Sequence, residues 1–135
     1  MIYLSSTFSP AMLADVQAGK VAQVTFMPCP LGLAIKLIAP PTEPGDHHIV
    51  SGVGHPATAA MIESLTGCAL PPVDPANRVK LSLKQDDILL VFQYLGPRLS
   101  EWQIMSAGEV EAASLAGHFT WLVVTSQGHA RGCSL

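Results

Sequence analysis

Short runs of β-favouring apolar residues alternate along this chain with segments whose apolar residues recur at helical spacing. The clearest strand is Ile88–Leu95, an apolar run that contains Gln93. The clearest helix starts at Pro56, and Gly67 is suited to end it in a left-handed conformation. Strands and helices that alternate in this way predict an α/β fold, with a mixed sheet of about five strands flanked by short helices.

The 135 residues fall within the usual length of a single domain, and we expect them to form one. Strands are predicted at Ile2–Leu4, Val21–Met27, Ile49–Val50, Val79–Leu83, Ile88–Leu95 and Phe119–Thr125. Helices are predicted from Pro10 to Val16, from Pro30 to Ala39, from Pro56 to Gly67 and near Gly108–Leu115. We expect Val79–Leu83 and Ile88–Leu95 to form a hairpin, and residues 126–135 to be a flexible tail.

The charge content excludes several classes of protein. Only 13% of residues are charged, about half the usual 25% or so, which excludes a disordered chain and a solvated coiled coil. Seven Lys and Arg residues against ten Asp and Glu cannot cover a surface that binds DNA or RNA in bulk. A small anionic ligand held by one or two arginines remains open.

Hydropathy and cysteine spacing predict a cytoplasmic protein. No apolar run approaches the roughly 20 residues of a membrane span, and the first ten residues lack the positive segment of a signal peptide. Cys29, Cys68 and Cys133 offer neither an even set nor a CxxC pair. We therefore expect reduced thiols and no membrane association.

The segment Ser51-Gly-Val-Gly-His-Pro56 joins a predicted strand to a predicted helix. Pro56 suits the first helical position, so His55 would stand at the N-cap, where free N–H groups attract phosphate. A plain strand-to-helix turn with a half-exposed histidine is the competing interpretation. Gly52-x-Gly54-x-x-Ala57 also matches a dinucleotide-binding fingerprint, which requires a second strand followed by an acidic residue such as Asp74.

Arginines occur where predicted loops and strands meet. Arg98 and Glu101 follow the Gly-Pro turn after the longest strand, and Arg78 precedes Val79. A guanidinium at such a position can bind phosphate, although a surface Arg–Glu pair is the simpler interpretation. The other histidines suggest no site: His47 and His48 would point in opposite directions on extended backbone, and His118 and His129 have no evident partner.

Four segments together resemble a known family: YLSSTFSPAML, SGVGHPATA, NRVKLSL and DDILLVFQYLGPRLSE. They span Tyr3 to about Glu101 and are similar to small α/β proteins first described from archaeal viruses. That family is associated with ring nucleases, enzymes that destroy the second messenger cyclic tetra-adenylate and act as anti-CRISPR proteins or clear the signal in a host. The resemblance implies such an activity in the cytoplasm of a bacterial or archaeal host.

The resemblance also implies roles for individual residues. His55 matches the general acid, Glu101 the carboxylate thought to pair with it, and Arg98 a catalytic and phosphate-binding arginine. The expected substrate-binding residues are Ser6, Ser9, Gly54, Arg78, Gln93 and Arg98. Ser6 stands where the family often has asparagine, and Trp102 where it often has glycine.

The implied reaction needs no metal or other cofactor. A ribose 2′-OH attacks the neighbouring phosphate, arginines and helix N–H groups stabilise the charge, and a histidine protonates the leaving oxygen. A symmetric ring suits a symmetric homodimer, which the resemblance also implies. The alternative is a module that binds a cyclic nucleotide without cutting it, for which the arginines suffice.

Overall fold

A computed structural model describes residues 1–7, 12–13, 19, 23–39, 49–73, 83, 87–99 and 103–128. Within these ranges five strands form one sheet, and three helices connect or flank them. The predicted helix from Pro10 to Val16 lies outside the described residues except for Met12 and Leu13. None of the three helices is long and apolar enough to cross a lipid bilayer.

The sheet is mixed, as the sequence predicts. Its strands are β1 (Ile2–Ser5), β2 (Gln23–Pro28), β3 (Ile49–Ser51), β4 (Ile88–Tyr94) and β5 (Phe119–Gly128). Their spatial order is β2-β5-β4-β1-β3. β1 pairs in parallel with both β3 and β4, whereas β5 runs antiparallel to β4 and β2. Four strands therefore run in one direction, and their carboxyl ends meet at one edge of the sheet.

The three helices are α1 (Leu31–Ile38), α2 (Pro56–Thr66) and α3 (Ala107–Leu115). α2 packs against both α1 and α3. It ends at Gly67, whose φ of 72° and ψ of 11° lie in the left-handed region, as expected for a glycine that follows a helix. α3 begins with a capping box, in which Ser106 and Glu109 each bond the other's backbone N–H.

The side chains of β4 alternate between two apolar layers. Leu90 and Phe92 are fully buried beside α1 and α2, together with Ile62 of α2. Leu89 and Val91 face the opposite side and pack with Met12, Leu13 and Val124. This two-sided burial explains why β4 reads as a nearly continuous apolar run rather than as an alternating one.

Several predicted boundaries differ from those observed. β2 is described from Gln23, since residues 21 and 22 lie outside the described ranges, and β5 extends to Gly128 because its last residues pair with the start of β2. The hairpin prediction for β4 was wrong in its pairing, since β4 has β1 on one side and β5 on the other. Most of Val79–Leu83 lies outside the described residues, as do residues 129–135.

Candidate functional site

The polar candidates lie where the parallel strands end. Gly52 donates its backbone N–H to the carbonyl of Leu4 at 2.8 Å, which keeps the exit of β3 beside the end of β1. Ser6 follows β1, His55 follows β3, and Arg98 follows β4. Ligands of open α/β sheets bind outside the carboxyl ends of the strands, so this edge, the carboxyl edge, is the candidate site.

His55 occupies the N-cap position of α2 with an extended backbone, φ −85° and ψ 118°. Its carbonyl accepts the N–H of Ala59 at 3.0 Å, whereas its imidazole makes no capping hydrogen bond. The ring is exposed at the end of the helix where the dipole is positive. Ala57 and Thr58 carry the first N–H groups with no carbonyl partner inside the helix. An imidazole and free N–H groups therefore share one helix end.

The strand-to-helix turn before His55 is fixed by local hydrogen bonds. The hydroxyl of Ser51 is buried and accepts the backbone N–H of Val53 at 3.2 Å. Val53 is itself 5% exposed and belongs to the core beneath α2. The turn is thus anchored on its buried side, while Gly54 and His55 stay on the exposed side.

Arg98 is exposed at the same edge of the sheet. It lies between Pro97, whose ring fixes φ, and Leu99, which packs against the core. The guanidinium of Arg98 is thus exposed beside a residue anchored on the core, and its planar fork suits phosphate or carboxylate.

The serines after β1 divide into two environments. Ser5 is buried, and its hydroxyl donates to the carbonyl of Thr7 at 2.7 Å and accepts the N–H of Thr7 at 3.2 Å. Its single donor and one of its two acceptor lone pairs are used in this turn. Ser6 is half-buried beside it, at the end of β1. Of these two serines, Ser6 is the more accessible to a ligand.

Gln93 is exposed near the end of β4, and its Oε1 lies 3.5 Å from the hydroxyl of Thr120. By the alternation of the strand it lies on the face of Leu89 and Val91, opposite to the face that α2 covers. Of the predicted site residues, Ser6, Gly54, His55, Gln93 and Arg98 thus lie at the carboxyl edge. Ser9, Arg78 and Glu101 are outside the described residues, as is Trp102.

The described residues show only part of the structure that a dinucleotide-binding fingerprint requires. An isolated parallel bridge joins Ser51 to Val73, after α2. The fingerprint requires a full second strand at that place, and the bridge is a single residue pair. Asp74, its expected acidic residue, lies outside the described residues. Within those ranges no three His, Cys, Asp or Glu side chains are grouped so that they could hold a metal ion.

A separate apolar cleft of about 300 Å³ lies between the sheet and α2 and α3. Its lining includes Cys29, Leu65, Phe119 and Trp121, and none of the predicted site residues contributes to it. Burial raises the pKa of the Cys29 thiol, and the indole N–H of Trp121 is buried without a partner among the described residues. The cleft is therefore distinct from the polar site.

His118 has partners that its sequence context does not reveal. Its carbonyl accepts the N–H of Leu95 at 2.7 Å. Its ring meets that of Tyr94 edge-on, with centroids 6.2 Å apart. These contacts join the start of β5 to the loop that carries Arg98, and they give His118 a structural role. No local motif announces them, since β-pairing between distant segments creates them.

Comparison with known proteins agrees with this description of the fold. The chain is similar in structure to B116 of Sulfolobus turreted icosahedral virus, with a TM-score of 0.66 and 20% sequence identity. The alignment covers 92% of this chain and 97% of that protein. A search of curated proteins gives no match. Residues 19–118 match the family described as STIV B116-like, a span that holds β2 to β4, all three helices and the turn at His55. The chain therefore belongs to the STIV B116-like family.

Proposed function

We propose that this protein is a metal-independent ring nuclease that opens cyclic tetra-adenylate. The observation that carries the proposal is the placement of two exposed side chains, His55 and Arg98, at the carboxyl edge of one sheet. One can give a proton and the other can bind phosphate. The family resemblance implies the same two residues for this activity.

The reaction uses the substrate's own nucleophile. A ribose 2′-OH attacks the adjacent phosphorus, the O2′–P bond forms, the P–O5′ bond breaks, and the 2′-OH proton is released to solvent water. His55 donates its proton to the departing 5′ oxygen, which leaves as a hydroxyl. The product ends are a 2′,3′-cyclic phosphate and a 5′-hydroxyl, and two cuts yield linear di-adenylate.

Charge that develops on the phosphate needs stabilisation. Arg98 supplies a fixed positive charge, and the N–H groups of Ala57 and Thr58 supply the positive end of the α2 dipole. The family resemblance implies that the carboxylate of Glu101 pairs with His55 in the reaction. Ser6, Ser9, Gly54, Arg78 and Gln93 are proposed to bind the ring of the substrate.

A homodimer fits this proposal. A ring of four equal nucleotides is symmetric, and a two-fold assembly would present two copies of the His55 end to it. Clearing or countering cyclic tetra-adenylate would silence type III CRISPR signalling in the cytoplasm of the host.

The test is incubation of the purified protein with cyclic tetra-adenylate in excess EDTA, followed by chromatography of the products. Linear di-adenylate with 2′,3′-cyclic phosphate ends is the expected product. Strict dependence on an added divalent ion would contradict the mechanism. Tight binding that leaves the ring intact would instead identify a sequestering module.

A further inference from the structure

The loop that follows β4 is held at both ends. At its start, Leu95 donates its N–H to the carbonyl of His118 at 2.7 Å, which extends the β4–β5 pairing by one residue beyond Tyr94 and Phe119. At its end, Leu99 packs against the core. Arg98 is the exposed residue just before that anchor. Whatever moves the middle of the loop therefore changes where the guanidinium lies.

Gly96 stands in the middle of this loop, in close contact with two rings. A Cβ at this position would lie 2.5 Å from the hydroxyl oxygen of Tyr94 and 2.7 Å from Nδ1 of His118. Carbon atoms do not approach other heavy atoms so closely without displacing them. The described glycines with positive φ are Gly19, Gly67 and Gly117, so Gly96 is required for space and not for a left-handed backbone.

The ring of Tyr94 is also packed against residues outside the loop, and the backbone of His118 is fixed by a hydrogen bond. The ring of Tyr94 contacts that of Phe119, with centroids 5.8 Å apart, and also packs on the core cluster that includes Phe92. His118 is tied through its carbonyl to Leu95. Close-packed side chains yield little, whereas Pro97 next to Gly96 is exposed to solvent. A methyl group at position 96 would therefore be relieved by movement of the loop.

We propose that Gly96, seated on Tyr94 and His118, is a positioning residue that sets the location of Arg98 at the carboxyl edge. The inference rests on the proposed function in one respect, which is that Arg98 binds a phosphate of the substrate. In this proposal the rings of Tyr94 and His118 support the loop. Neither residue takes part in the reaction described above.

Binding of cyclic tetra-adenylate tests the proposal, with His55→Ala as the common background so that the ring stays intact. Gly96→Ala should raise Kd about 10- to 100-fold, since an error of about 1 Å in a binding group has effects of this size. Gly108→Ala is the matched control, because a Cβ there meets nothing within 4 Å, and its Kd should equal that of the parent.

A double-mutant cycle shows whether the loss passes through Arg98. The Gly96→Ala, Arg98→Ala double variant should bind no more weakly than Arg98→Ala alone, because Arg98→Ala has already removed the contact that a displaced loop would weaken. If the two losses multiply instead, Gly96 acts on binding by another route and the proposal is overturned. The same holds if Gly96→Ala binds as well as Gly108→Ala.

Amide hydrogen exchange without ligand separates this inference from the proposed function. Gly96→Ala should speed exchange of the Leu95 amide at least about 10-fold relative to Gly108→Ala, because its bond to His118 lies at the root of the loop. Unchanged exchange would mean that the rings yield and the loop does not, against the proposal. Wild-type protein that neither binds nor cuts the ring refutes the proposed function, and the exchange result then still decides the role of Gly96.

Discussion

Ser5, the last residue of β1, pairs with Val91, three residues before β4 ends at Tyr94. β4 and β5 therefore remain paired beyond the end of β1, where Gln93 pairs with Thr120 and Tyr94 pairs with Phe119. At about 3.3 Å per residue this step is about 10 Å high. Ser6 and the turn before His55 follow the lower side of the step, and Arg98 follows its upper side, so the candidate residues come from strand ends of different height.

Replacement of His55 by alanine should separate cleavage of cyclic tetra-adenylate from its binding. The rate of a single turnover with cyclic tetra-adenylate should fall roughly 10²- to 10⁴-fold, the contribution of a general acid. Binding should change far less, because Arg98 and the N–H groups of α2 remain. Rapid-quench measurement of product, beside the Kd of the same variant, checks both expectations.

His55→Asn is the control for a purely structural role of this position. Asparagine is a favoured N-cap residue, so it should support the start of α2 at least as well as histidine, yet it has no proton to give at neutral pH. We expect its rate to be as low as that of His55→Ala, with thermal stability at or above that of the wild type. A wild-type rate for either folded variant would remove His55 from the mechanism.

Arg98→Ala should weaken binding of cyclic tetra-adenylate by about 1.5–3 kcal/mol, the range for a hydrogen bond to a charged group. That corresponds to an increase in Kd of about 10- to 150-fold. Arg98→Lys keeps the charge but loses the planar fork, and its Kd should lie between that of the parent protein and that of Arg98→Ala. Isothermal titration in the His55→Ala background provides the measurement, and equal affinity for all three would leave Arg98 as a surface residue only.

The sequence predicts the fold class because the strongest patterns are local. The apolar run of β4, the proline that opens α2 and Gly67 that closes it each determine structure within a few residues. Pairing is different, since an apolar run shows that β4 is a buried strand but not which strands flank it. The hairpin prediction failed for this reason: β1, from the start of the chain, takes the place beside β4.

The candidate site also combines features that local sequence determines with features that depend on strand pairing. The motif around His55 is continuous in sequence, and its position at the start of a helix follows from Pro56. The contact of Gly96 with His118 depends instead on β4 meeting β5 in a register that only the folded sheet defines. The capping box of Ser106 and Glu109 was visible in the sequence as an S-x-x-E pattern but did not enter the prediction.

Two glycine substitutions should have different effects on stability. Gly67→Ala places a side chain at φ 72°, where an L-residue costs about 1–2 kcal/mol. Gly32→Ala lies within α1 at ordinary helical backbone, and it should be neutral or stabilise the fold by up to about 1 kcal/mol. A Cβ at either position meets nothing within 4 Å, so crowding cannot explain a difference. Urea unfolding of both variants measures it, and equal effects would contradict the assignment of Gly67 as a left-handed cap.

Glu109 should make the stability of the protein depend on acid. The backbone N–H of Ser106 donates to its Oε1 at 3.1 Å, and bonds from Ser106 hold the pKa of Glu109 below its ordinary value of 4.5. A carboxylate whose pKa is lower in the folded state stabilises that state fully above the unfolded pKa, and loses the effect as the pH falls through the folded pKa. Glu109→Gln keeps an oxygen for the capping box but cannot titrate. Wild type should therefore be more stable than Glu109→Gln at pH 7, and the difference should shrink steadily once the pH falls below about 4.5.

Glu111→Gln removes the same charge further along α3 and leaves the capping box in place, so its stability difference at pH 7 should be smaller. Melting temperatures recorded from pH 7 to pH 3 provide the comparison, and a gap between wild type and Glu109→Gln that stays constant over this range would show that the capping carboxylate does not contribute as proposed.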